Sequence, residues 1–157
     1  RHMMVAKVRG EFTEYEAVIE ADPADLTTAD IVFKVNMNSI DTRNEDRDNH
    51  LRSGDFFEID KHPEMTFTSA QIVKKGDNEY EVTGNLSIKG VTKSETFDVE
   101  YEGAAKDPWG NMKHGFSVEG SISRKDYGME YNAALETGGV LIGDKIKIKL
   151  DLETSEI

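Results

Sequence analysis

The sequence of 157 residues contains no cysteine. Disulfides, Cys-based zinc sites, iron–sulfur clusters and thiol nucleophiles are therefore excluded together. Basic residues are also scarce, with 19 Lys and Arg against 31 Asp and Glu, which gives a formal net charge of -12. A protein that binds nucleic acid through its phosphates needs a basic surface, so we expect no nucleic-acid partner.

Long hydrophobic runs are missing as well. No apolar stretch approaches the ~20 residues that a membrane helix needs, so we expect no transmembrane segment. The first ten residues lack the apolar region and cleavage site of an export signal. The sequence as it stands predicts one soluble cytoplasmic domain over residues 1–157; a segment ahead of Arg1 would allow a periplasmic or secreted protein instead.

The hydrophobic residues that are present alternate with polar ones. The clearest case is the segment in which Ile146, Ile148 and Leu150 alternate with charged side chains, which predicts a strand with one buried face. Five segments show this pattern regularly and two less so, at residues 31–38, 80–88, 97–101, 116–122 and 145–152, and at 5–20 and 65–73. Turn residues at Gly76-Asp77-Asn78 and Lys89-Gly90 make consecutive strands antiparallel. The sequence therefore predicts an all-β sandwich or barrel.

Two segments interrupt the strands. Thr42 to Glu45 has the spacing of a capping box, which predicts one short helix that runs through Leu51 and stops at a left-handed Gly54. The second segment, residues 124–143, is long for a hairpin loop, and loops of this length commonly form a cover over a site.

Asp48 and His50 are the most functional-looking pair in the helix. A general acid and base are conceivable there, but side chains two positions apart on a helix do not face each other. Local ion pairs and hydrogen bonds that anchor the helix are favoured, so we assign no catalytic residue. The four histidines show no metal-ligand spacing, and we expect no metal site. An enzyme acting on a hydrophobic substrate, with Asp48 and His50 at the barrel mouth, is the alternative.

Gly84 and Gly120 lie in register with the apolar faces of their strands. They fit two interpretations equally. Each removes a side chain from the inside of the sheet, which would leave room for a ligand. Each would also permit the strong coiling that a small barrel needs.

An enclosed cavity would have an almost wholly apolar wall. Its predicted residues are Val18, Phe33, Val35, Met37, Phe67, Val82, Leu86, Phe97, Val99, Phe116, Val118, Ile122, Ile146 and Ile148. Such a wall favours a hydrocarbon, at about 0.8 kcal/mol per buried CH2 group. The alternative is an ordinary packed core, which would suit an interaction module rather than a carrier.

Several motifs resemble one known family along essentially the whole chain. They are the run from Arg47 to Phe57, His62-Pro63, the segment Gly84 to Lys93, Asp107-Pro108-Trp109-Gly110, and Glu136 to Gly143. In their order and spacing they are similar to the bacterial YceI-like family.

The resemblance implies an eight-stranded antiparallel, lipocalin-like barrel that binds polyisoprenoids or similar long-chain lipids, including isoprenoid quinones. It implies no catalysis and no cofactor besides the bound lipid. In that picture Leu51, Phe56, Phe57 and Leu135 extend the apolar wall. Polar candidates at the mouth are Asn38, Asp41, Arg47, Asp48 and His50, although a structural role fits each equally well.

The family has a further strand ahead of the first motif, and only seven strands are counted here. Without it, the strands at residues 5–20 and 145–153 would be unpaired edges, which recruit partners. We therefore expect either strand exchange in a homodimer or a further segment in the complete protein.

Overall fold

The computed structural model describes residues 4–5, 9–22, 24–131, 140–141 and 143–156. The regular elements of this part are β1 (Met4–Val5), β2 (Glu11–Phe12), β3 (Tyr15–Asp22), β4 (Asp25–Asn36), β5 (Ile40–Asp41), α1 (Glu45–Arg52), β6 (Glu64–Lys74), β7 (Glu79–Ile88), β8 (Val91–Lys106), β9 (Met112–Ser123), β10 (Val140–Leu141) and β11 (Lys145–Ser155). Short 3-10 helices follow β4 and β9, at Met37–Ser39 and Arg124–Tyr127.

Seven of these strands form one antiparallel sheet in the order β11-β9-β8-β7-β6-β4-β3. Residues from all seven strands line a single cavity, so the sheet curls around it as a half-barrel. Strands β3 and β11 are its two edges and do not pair with each other. The all-β, lipocalin-like fold is confirmed, and the sheet has seven strands. The strand predicted at residues 5–20 is divided, since Tyr15–Asp22 belongs to this sheet whereas Met4–Val5 and Glu11–Phe12 pair in two separate two-stranded sheets.

Local sequence explains how the sheet turns and coils. At the β7–β8 hairpin, Lys89 and Gly90 both have positive φ, 53° and 76°, which matches the twist of the flanking strands. The predicted turn is therefore confirmed. Register shifts in β6 and β8, at Ser69/Gln71 and Tyr101/Gly103, add the extra bend that a curled sheet needs.

The bounds of helix α1 differ from the prediction. Asn44, not Thr42, is its N-cap, and the Asn44 side chain accepts a hydrogen bond from the backbone N–H of Arg47. The Thr42 hydroxyl instead donates to Asp48 and accepts from the Arg47 side chain. At the other end Ser53 caps the helix in extended conformation, and Gly54 is not left-handed. The predicted capping box and glycine stop are both wrong.

The two ends of the half-barrel differ in packing. At one end, here called the helix end, the loop after α1 is tied to the β7–β8 hairpin by a 2.9 Å hydrogen bond from Lys89 Nζ to the carbonyl of Gly54. Phe56, Ile88, Tyr127 and Met129 are buried there. The opposite end, here called the open end, carries the β3–β4, β6–β7 and β8–β9 turns. In the described part of the chain, no helix is long and apolar enough to cross a membrane.

Candidate functional site

The curled sheet surrounds a cavity of about 460 Å³. This volume lies within the range of small-molecule sites, roughly 300–1,000 Å³. Its lining brings together thirteen residues that the sequence places in an apolar wall, namely Phe33, Val35, Phe57, Phe67, Val82, Leu86, Phe97, Val99, Phe116, Val118, Ile122, Ile146 and Ile148. The inner face is therefore a predominantly apolar surface around open space, with charged residues only at Glu11, Lys147, Lys149 and Asp151.

Val18 lies outside the lining of this cavity. It is 47% exposed, and its partner across the β3–β4 pair is Val32, on the outer face of the sheet. The register pairs Ile19 with Ile31, and both line the cavity. Alternation alone does not say which of two adjacent apolar residues points inward, because a shift of one residue exchanges the faces.

Other predicted wall residues lie outside the cavity lining. Met37 is 2% exposed, but it belongs to the 3-10 helix that follows β4. Leu51 and Phe56 pack into the core at the helix end. Leu135 lies outside the described residues. For Met37, Leu51 and Phe56 the 3-10 helix, α1 and the loop after α1 decide where the side chain goes, and no strand pattern encodes these elements.

Gly84 and Gly120 do not open the wall either. A Cβ atom on Gly84 would lie 2.6 Å from Cζ of Phe67, and one on Gly120 would lie 2.8 Å from Cε1 of Phe97. The two phenylalanine rings meet edge to face with centroids 5.4 Å apart. At each glycine an aromatic ring occupies the space that the missing side chain leaves, so this space is not available to a ligand.

Sequence reasoning also missed part of the lining. The additional apolar residues include Tyr15, Ile19, Leu26, Ile31, Met65, Ile72, Tyr80, Ile88, Leu150 and Leu152. Leu150 and Leu152 share the alternating pattern of β11, which was a usable signal. Leu26 and Ile72 lie near the open end, where the strand pattern is less regular.

The polar candidates Asn38, Asp41, Arg47, Asp48 and His50 are all at the helix end, and none lines the cavity. Asp48 is buried and accepts hydrogen bonds from the hydroxyl and the backbone N–H of Thr42. Arg47 donates to the same threonine, from Nε to its hydroxyl at 2.8 Å. These contacts connect α1 to the preceding loop.

The Thr42 hydroxyl lowers the pKa of Asp48 below its ordinary value of 3.8. The backbone N–H of Thr42 and the charges of Arg52 and Arg47 act in the same direction, whereas burial opposes them. Asp48 is therefore held ionised, as an acceptor for Thr42. A carboxylate so engaged is poorly suited to act as a proton donor.

His50 has different partners from Asp48. Its Nε2 lies 2.8 Å from Oδ2 of Asp55, and its ring packs edge-on against Phe56 and Tyr131. Asn38 contributes its carbonyl to Arg52, and Asp41 accepts from the backbone of Arg43. The structure thus divides the polar candidates among separate local contacts.

Arg124 and Tyr127 close the helix end from the other side. Arg124 is 2% exposed and donates to the carbonyls of Gly143, Met129 and Tyr131. The Tyr127 hydroxyl donates to Oε2 of Glu95 at 2.6 Å. Burial, followed by the hydrogen bond and charge of Glu95, raises the pKa of Tyr127 well above 10. These hydrogen bonds anchor the segment that follows β9.

The unpaired edges β3 and β11 face a second space of about 680 Å³, here called the edge gap. It shares part of its lining with the cavity, including Ile19, Leu26, Phe116 and Leu152. Tyr101 and His114 also line it, with the Tyr101 hydroxyl 2.8 Å from Nδ1 of His114. The cavity therefore adjoins hydrogen-bonding groups away from the helix end.

Within the described residues, no group of three or more His, Asp or Glu side chains is arranged to hold a metal ion. The arrangement as a whole is a largely apolar chamber that reaches the helix end at Glu11, Phe12 and Phe57 and adjoins a polar pair at the edge gap. Its chemistry suits the burial of an apolar chain.

The sequence and the fold were compared with those of known proteins. A model of the YceI-like domain matches residues 1–154. The chain belongs to the YceI-like family. A UPF0312 protein of Staphylococcus epidermidis is 45% identical over 156 residues, which cover 99% of this chain and 88% of the relative. The resemblance carried by the sequence motifs is thereby confirmed.

Solved YceI-like structures share the fold. The crystal structure of the YceI protein of Campylobacter jejuni is 34% identical, with a TM-score of 0.86, over 100% of this chain and 90% of that one. A domain from Saccharophagus degradans, described as polyisoprenoid-binding, has a TM-score of 0.59 at 17% identity, over 79% of this chain and 75% of that one. At this low identity the second likeness concerns the fold alone.

Proposed function

We propose that this YceI-like protein binds a long-chain isoprenoid lipid in its cavity and carries or sequesters it without catalysing a reaction. The observation that carries the proposal is the apolar chamber of about 460 Å³, lined from all seven strands of the sheet. Polyisoprenoids and isoprenoid quinones both have the extended apolar chain that this chamber would bury.

The energetics favour an apolar ligand. Each CH2 group moved from water into the chamber contributes about 0.8 kcal/mol. A polar metabolite would instead lose its hydration against side chains such as Val99, Val118 and Ile148, which offer no hydrogen bonds. The polyisoprenoid-binding description of the Saccharophagus degradans domain supports an isoprenoid among the possible chains.

The enzymatic alternative has less support. It needs Asp48 and His50 to converge on a substrate, whereas Asp48 is bonded to Thr42 and His50 to Asp55. Both residues are outside the cavity lining. A binding role needs no such convergence.

Organic extraction of the purified protein, followed by lipid mass spectrometry, tests the proposal. We expect an isoprenoid lipid in amounts approaching the amount of protein, or stoichiometric uptake when a polyprenol or isoprenoid quinone is added to extracted protein. A correctly folded sample that neither co-purifies with nor takes up any isoprenoid contradicts it.

A further inference from the structure

The inner faces of β8 and β9 carry a polar pair in an otherwise apolar row. Alternate residues of a strand lie on the same face. Tyr101 therefore shares the face of Phe97 and Val99 on β8, and His114 shares the face of Phe116 and Val118 on β9. Their rings stack with centroids 5.9 Å apart, and the Tyr101 ring also lies against Phe116. The pair is thus part of the inner surface, where the cavity meets the edge gap.

The contact between the two side chains sets what His114 offers to a ligand. A Tyr101 hydroxyl that donates to Nδ1 leaves the hydrogen of a neutral imidazole on Nε2. Nε2 is shielded from water and has no hydrogen bond within the described residues. It lies within ion-pair distance of the half-exposed Glu156 carboxylate, 3.3 Å from Oε2, but not in hydrogen-bond geometry. A ligand oxygen that replaced this carboxylate would satisfy the buried Nε2 donor.

The surrounding charges indicate which acceptor fits. Glu20, Glu153 and Glu156 line the edge gap, and apart from His114 the described lining residues include no basic side chain. A phosphate or diphosphate would meet three carboxylates in a protein of net charge -12. A neutral carbonyl oxygen accepts the same hydrogen bond without that repulsion.

We infer that Tyr101 and His114 form a head-group site for a neutral carbonyl-bearing lipid whose chain lies in the apolar cavity. His114 donates from Nε2 to the carbonyl oxygen, and Tyr101 is a positioning residue that holds the imidazole in the required tautomer. The inference rests on the proposed function and adds the chemical class of the head group.

Three probes with the same chain and different heads test it. Farnesene has no polar head, farnesylacetone has a ketone, and farnesyl phosphate has an anion. Their dissociation constants for lipid-extracted protein are measured by isothermal titration calorimetry. Farnesylacetone has additional carbon atoms as well as a carbonyl, so the hydrogen bond is measured as a change in the farnesylacetone-to-farnesene affinity ratio. We expect this ratio to fall about tenfold in His114→Leu, the scale of one hydrogen bond, and farnesyl phosphate to bind most weakly to the wild type.

Substitutions of His114 and Tyr101 test whether these two residues cause the preference for the ketone. His114→Leu and Tyr101→Phe should each remove most of the preference for the ketone, measured as the ratio of the farnesylacetone and farnesene affinities of the same variant. His114→Gln, which keeps a donor, should restore part of it. His62→Leu is the matched control, because it removes an imidazole that also lies near a glutamate, Glu58, but outside the linings of the cavity and the edge gap, and it should leave the preference intact.

The outcomes separate the two proposals. Equal binding of farnesene and farnesylacetone, or a ketone preference that survives His114→Leu, overturns the head-group site while the lipid-binding function stands. Phosphate binding as tight as ketone binding also overturns it. If folded protein binds none of the three probes, both proposals fail.

Discussion

At the scale of single residues, the polar side chains have structural partners where sequence reasoning looked for a ligand. Asp48 illustrates this point, because it is buried and its hydrogen bonds go to Thr42. The same residue type at the surface would have little effect on folding. Its contribution should therefore be visible in the pH dependence of stability.

We predict that Asp48→Asn weakens the acid sensitivity of the fold. The hydrogen bonds from Thr42 put the pKa of Asp48 in the folded state below its ordinary value of 3.8. The ionised carboxylate therefore stabilises the protein above that value, and the stabilisation is lost as the pH falls through the lower folded-state pKa. Thermal unfolding from about pH 6 to about pH 3 should show a smaller drop in Tm for the variant.

Asp98→Asn provides the control for this experiment, because Asp98 is an exposed carboxylate on β8. It should leave the acid dependence close to that of the wild type. An Asp48→Asn curve that runs parallel to the wild-type curve over the whole pH range would contradict the assigned role.

At the scale of elements, strands β7 and β9 each place a glycine under an aromatic ring. On β9 the ring of Phe97 occupies the space above Gly120. Gly115, on the same strand, has only Glu102 Cβ near its own added Cβ position, at 3.5 Å. One strand therefore contains both a filled and an unfilled glycine position.

We predict that Gly120→Ala lowers the free energy of unfolding by about 1–3 kcal/mol, since the added methyl group forces the Phe97 ring to move. Gly115→Ala should change it by no more than about 0.5 kcal/mol. Urea unfolding followed by circular dichroism measures both. The double variant Gly120→Ala/Phe97→Leu should lose less than the sum of the two single losses, and a fully additive double variant would argue against a direct clash.

At the scale of the whole molecule, the cavity is a property of the curled sheet rather than of any one strand. Its lining comes from β3 at one edge, β11 at the other and every strand between them. The fold therefore presents one apolar surface that residues far apart in the sequence build together. A bulky side chain anywhere on that surface should compete with the ligand.

We predict that Val118→Trp reduces lipid uptake at least fivefold, because the indole would occupy the cavity that Val118 lines. Glu119→Trp is the matched control, since the adjacent residue on β9 is exposed. The effect of each substitution is measured as the uptake of a radiolabelled polyprenol by lipid-extracted protein, and circular dichroism verifies that each variant is folded. Equal uptake by the two variants would count against the cavity as the binding site.

Much of this organisation follows from the sequence alone. The seven strands, the Lys89-Gly90 hairpin and the apolar row of Phe116, Val118 and Ile122 follow from period-two alternation and turn chemistry, which act over a few residues. Family motifs along the chain add the lipocalin-like fold. These features need no knowledge of contacts between distant segments.

The tertiary structure decided what depends on such contacts. The register between β3 and β4 turns Ile19 inward and Val18 outward. Packing between strands places the Phe67 and Phe97 rings over Gly84 and Gly120. The curl of the sheet brings β8 and β9 to the gap between its edges, so that Tyr101 and His114, two residues of ordinary alternating strands, become a polar pair beside an apolar cavity.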